Sequence, residues 1–131
     1  MSRGTLRLVP EPEMLRVLHM VVGVAARRQG IEEALVDDVR LGTAEAVTEA
    51  FAVHRGIPTD EPVTVEFDMA PPDVWIRVRH VSPGSSAANE PGEMGERMAV
   101  VAGIADDLHI GCDDVQRITI SMRWRQHDTR V

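Results

Sequence analysis

Hydrophobic and polar residues alternate in five stretches of the chain and recur at helical spacing in three others. Residues 5–10 (TLRLVP) alternate and halt at proline, which predicts a short opening strand. The next stretch, EPEMLRVLHMVVGVAARRQG, sets Met14, Leu15, Leu18, Val21, Val22 and Ala25 on one helical face and ends at Gly30. IEEALVDDVRLGTAEAVTEAFAVHRG predicts a second, longer helix. Its core stripe runs through Leu35, Val39, Gly42, Ala46, Ala50 and Val53, and Gly56 stops it. Its early carboxylates Glu32, Glu33 and Asp37 lie where the helix dipole favours them. PVTVEFDM and DVWIRVRH alternate on either side of APPD, the pattern of a hairpin. GEMGERMAVVAGIAD reads as a third helix, followed by strands DLHI and RITISMRW. SPGSSAANEPG (82–92) is a small, polar, glycine-rich loop, and residues 126–131 form a frayed tail.

The order β-α-α-β-β-α-β-β implies an α/β (α+β) two-layer sandwich, a mostly antiparallel sheet covered on one face by about three helices. The 131 residues suit one domain over 1–131, with no repeat or linker. Aromatics are only 3%, so Val, Ile, Leu, Met and Ala must fill the core. A net charge of -7 argues against a general nucleic-acid binder and favours a basic protein surface as partner. Cys112 is the sole cysteine, which rules out an intramolecular disulfide and suggests a reducing compartment. With no apolar run long enough to span a bilayer and no leader, the expectation is a soluble cytoplasmic protein without membrane contact.

The candidate chemistry is sparse. The five histidines show no metal-binding spacing, and His19, on a largely apolar helix, reads as a satisfied packing residue. No Gly-x-Ser-x-Gly elbow surrounds Ser82, Ser85 or Ser86, and Cys112 reads as a small turn residue. Glu45 and Glu49, one helical turn apart, point the same way, and such a pair is ordinarily a solvated face.

Three segments carry more. The second helix contains Glu45-Ala46-Val47-Thr48-Glu49-Ala50. The strand IRVRHVSPG brings His80, Ser82 and Gly84, and GERMAVVAGIAD brings Gly95, Arg97 and Met98, then Ile104 and Asp106. In this order they resemble the ATP-binding fold of the GHKL group, most closely the compact RsbW-type anti-sigma factor serine kinases of bacteria. The likeness runs from the first strand to the last. The resemblance implies that the first-motif Glu is general base on the attacking hydroxyl and that an Asn four residues on holds Mg²⁺. It implies a strand-end Asp that accepts from the adenine amino group, and glycines at a helix N-terminus that cradle phosphate. The loop from Ser82 to Gly92 would correspond to the nucleotide lid.

This chain departs from that pattern. Glu45, Gly84 and Gly95 are kept. Glu49 stands for the magnesium-holding Asn, His80 for the adenine-reading Asp, Ser82 for one glycine and Arg97 for a phosphate-loop glycine. Losing the adenine acceptor removes a charge-assisted hydrogen bond of roughly 1.5–3 kcal/mol. Glu49 adds repulsion to a triphosphate, although a carboxylate also binds Mg²⁺ well. Arg97 brings a cation with more bulk than glycine. The expectation is an anti-sigma regulatory factor with impaired or lost ATP binding and no cofactor. It would act as a homodimer that binds a sigma factor and is opposed by a STAS-type anti-anti-sigma protein. Arg55, at the end of the second helix, and the Ser82–Gly92 loop are candidate contacts by analogy. The alternatives are an active serine kinase using ATP and Mg, with Glu45 as base and Glu49 on the metal, and a non-enzymatic interaction scaffold.

Overall fold

The computed structural model describes residues 2–82, 93–113 and 116–127. Its elements are β1 (Ser2–Leu8), α1 (Glu13–Arg28), α2 (Glu33–Arg55), β2 (Val63–Ala70), β3 (Asp73–Val81), α3 (Glu93–Ile104), β4 (Asp107–Cys112) and β5 (Arg117–Arg125). The strands form one sheet in the order β1-β2-β3-β5-β4, every pair antiparallel. The alternation in the sequence becomes two unlike faces. Val65 and Met69 of β2, Val74, Ile76 and Val78 of β3, and Ile120 and Met122 of β5 are fully buried on the helix side. Each such aliphatic side chain, once removed from water, stabilises the fold by roughly 1.5–3 kcal/mol.

α2 crosses the sheet chiefly over β3, with α1 and α3 packed on either flank. Gly42 permits its close approach. A Cβ there would lie 2.6 Å from the Trp124 ring, so only glycine lets the helix axis sit that low over β5. α1 stops by a Schellman turn: the Gly30 amide donates to the Arg27 carbonyl and the Ile31 amide to that of Ala26. Gly30 takes a φ of 77°, the left-handed conformation that such a stop requires.

Several element bounds differ from the sequence pattern. β1 runs from Ser2 to Leu8, because Ser2 to Leu8 pair with Met69 to Val63 and the chain then leaves the sheet at Val9. β4 continues to Cys112, an exposed strand residue rather than a turn residue, because it pairs with Ile118. The β2–β3 connection contains a cis Pro71–Pro72 bond. Gln126, assigned by sequence to a frayed tail, is held: its amide donates to the Pro72 carbonyl and its side-chain oxygen accepts from the Glu32 amide.

Candidate functional site

The motif residues that the structure describes gather where α2, the end of β3 and the start of α3 meet. The buried stripe of α2 includes Val39, Gly42, Thr43, Ala46, Ala50 and His54, and its turn toward the sheet carries Glu49 inward as well. Glu49 is only 6% exposed, which excludes the solvated helix face expected for this residue. Its partner comes from 48 residues away. Arg97 Nη1 of α3 donates to Glu49 Oε2 at 2.7 Å, with the arginine side chain 23% exposed. Spacing along one helix says nothing about a cation supplied by another. Burial of the carboxylate requires such a cation, since an unpaired charge there would be costly. Glu45, one turn earlier, is half-buried and has no hydrogen-bond or ion-pair partner among the described residues.

His80 lies on the helix side of β3 and is 2% exposed. Its Nδ1 stands 2.8 Å from the Val81 carbonyl, which can only accept, so Nδ1 carries the proton. That leaves Nε2 as a buried acceptor without a partner among the described residues. His54, at the last turn of α2, packs edge-on against it at a centroid distance of 6.1 Å. The Val81 amide donates to His54 Nε2 (2.9 Å), so this ring also holds its proton on Nδ1, which donates to the Glu61 carbonyl (2.9 Å). His54 therefore ties the end of α2 both to the approach to β2 and to the end of β3. Burial holds both imidazoles below the usual histidine range. The Glu61 carbonyl partly offsets this for His54, and the Val81 carbonyl does so for His80.

His54 drew no role from the sequence. The signal was available, for it continues the Ala46–Ala50 stripe by one more helical turn. Ser82 follows β3 and donates its amide to the Gln116 carbonyl at 2.9 Å. Gly95 lies in the first turn of α3, with open space where a Cβ would stand. Gly84 and the rest of the 83–92 loop lie outside the described residues. His19, expected to be a satisfied packing residue, is half-buried, and its Nε2 has no hydrogen-bond partner among the described residues. Arg55 donates to the Pro10 carbonyl at 3.3 Å. Among the described residues no group of three or more His, Cys, Asp or Glu side chains converges as a metal would need, and no helix is long and apolar enough to cross a membrane.

The family profile of the histidine kinase-like ATPase domain matches residues 8–124, and the chain belongs to that family. Its fold is shared with solved structures. One is a Mycobacterium tuberculosis protein carrying RsbU and RsbW domains, with TM-score 0.70 and 16% identity, covering 95% of this chain and 32% of that one. Another is a chain of the SiaB–SiaC complex from Pseudomonas aeruginosa, with TM-score 0.64 and 9% identity, covering 92% and 88%. The protein thus spans about a third of the length of the mycobacterial chain. No curated protein matches it in sequence.

Proposed function

We propose that this protein is an anti-sigma regulatory factor whose nucleotide cleft no longer takes ATP. It would act as a bacterial, cytoplasmic homodimer that sequesters a sigma factor and is released by a STAS-type anti-anti-sigma partner. The observation that carries the reading is the Glu49–Arg97 ion pair. Glu49 stands at the position of the family's magnesium-holding Asn, and Arg97 at that of a phosphate-loop glycine. A carboxylate committed to a guanidinium at 2.7 Å has little left to offer a metal ion. The guanidinium lies against α2, in the space that a glycine would leave open between the two helices. His80 adds a further mismatch. Where the family presents a charged acceptor to adenine, this chain presents a neutral ring whose reach is set by its bond to Val81. These residues do not fit a magnesium nucleotide.

A second reading, an active serine kinase, is favoured by one feature. Glu45 is half-buried and uncommitted among the described residues, as a general base would be. Affinity purification from the native cell tests the preferred reading. A sigma factor recovered with the protein, and displaced by a STAS-type protein without any nucleotide, is the expected result. Recovery of no sigma factor would leave only the interaction scaffold, and displacement that needed ATP would favour the kinase.

A further inference from the structure

The face of the sheet turned away from the helices has a charge unlike that of the rest of the chain. By register, the residues on that face include Arg3 and Arg7 of β1, Arg77 and Arg79 of β3, and Arg117, Arg123 and Arg125 of β5. That is seven of the fourteen basic residues, all of them arginine, against four of the twenty-one carboxylates: Glu66, Asp68, Asp73 and Asp107. The strand residues of the face carry a net charge of +3, bordered at one end by Glu61, ion-paired to Arg117, and by Asp113; the remaining seven arginines and seventeen carboxylates, these two included, carry -10. An overall charge of -7 conceals this basic plane.

At its middle lies Trp75, half-buried, with Arg77 5.2 Å and Arg123 5.9 Å from the ring centroid. Tryptophan and arginine are the side chains in which interface energy concentrates. Five of the arginines have a carboxylate beside them. Arg7 and Arg77 form no ion pair among the described residues, although Glu66 stands directly across the strands from Arg77. A depression of about 610 Å³ opens beside Arg7, lined by Arg79 and Arg117 and also by Glu61, Glu66 and Asp113.

We infer that this open sheet face, centred on Trp75, docks an acid-rich polypeptide surface. Partner carboxylates would be received by Arg7 and Arg77, and the Trp75 ring would serve as the apolar anchor. Charge complementarity selects that occupant. A phosphate backbone would have to lie across Glu66, Asp68 and Asp73 and would meet the -10 of the remaining chain. A second copy placed face to face would set +3 against +3. The inference is independent of whether the cleft binds nucleotide.

Trp124 is 1% exposed, so acrylamide quenching of tryptophan fluorescence reports on Trp75. The full chain is titrated with three probes: a synthetic peptide alternating glutamate with threonine, its glutamine counterpart, and an oligothymidylate. The expected result is shielding of Trp75 by the glutamate peptide, weakened by salt. The charge reversals Arg7→Glu and Arg77→Glu, whose folding circular dichroism checks, should lower the affinity roughly tenfold or more. Absence of shielding, equal binding of the glutamine peptide, or tighter binding of the oligothymidylate would overturn the proposal. So would a dimer, seen by sedimentation velocity, that Arg77→Glu dissolves, for the face would then belong to a second copy.

Discussion

Glu49 and Arg97 form a nearly buried ion pair between α2 and α3. Replacing Arg97 by alanine leaves a nearly buried carboxylate without its cation, and the expected loss is about 1.5–3 kcal/mol of stability by chemical denaturation. An apolar pair, Glu49→Leu with Arg97→Met, should recover most of it, since a packed pair needs no counter-charge. If the single alanine variant unfolds at the wild-type midpoint, the pair is ornamental. The histidines give a prediction in pH. Burial keeps His54 and His80 neutral in the folded chain, whereas in the unfolded chain they titrate near 6.5. Below that value the unfolded state binds more protons. Stability should therefore be level above about 6.5 and fall as pH drops from there toward the depressed native values. His19, also held low by burial and by Arg40, adds to the same slope. His80→Leu should flatten the profile measured between about pH 7 and 5, above the carboxylate range. An unchanged slope would place the titration elsewhere. His54 has a local readout too: His54→Ala removes the acceptor of the Val81 amide, whose hydrogen exchange should quicken while the Val78 amide in mid-strand stays protected.

At the scale of elements, α2 organises the molecule, and Gly42 sets its depth. Gly42→Ala forces a methyl to 2.6 Å from the buried Trp124 ring, and the expected cost is about 1–3 kcal/mol, seen as a lower melting temperature. No cost would mean that the helix can rise without penalty. The same helix shows what the sequence discloses. Its stripe of Val39, Gly42, Ala46 and Ala50 was legible because a 3.6-residue period and a buried face have one cause. The β2–β3 hairpin was legible because alternation over VTVEFDM and DVWIRVRH has only one extended arrangement that buries both apolar sets. Glu49 was misjudged because its environment is made by α3, and a pattern read along one element contains no information about a cation on another. His54 fell between the two. Its period was visible, but its bonds to Glu61 and Val81 depend on how a loop and a strand end converge on it.

For the whole molecule, charge is unevenly placed: most of the acid excess sits in the connections between elements, and half of the arginines sit on the open sheet face. Net charge alone suggested one kind of partner surface, and this placement supplies two. The Glu49–Arg97 ion pair joins α2 to α3, and on the proposed reading it excludes the nucleotide. Titration calorimetry of the purified protein with MgATP tests that account most directly. No heat of binding is expected from the wild type. A triple change, Glu49→Asn, His80→Asp and Arg97→Gly, is expected to restore measurable affinity to the same fold. Micromolar MgATP binding by the unaltered chain, followed by phosphate transfer to a partner serine, would contradict it.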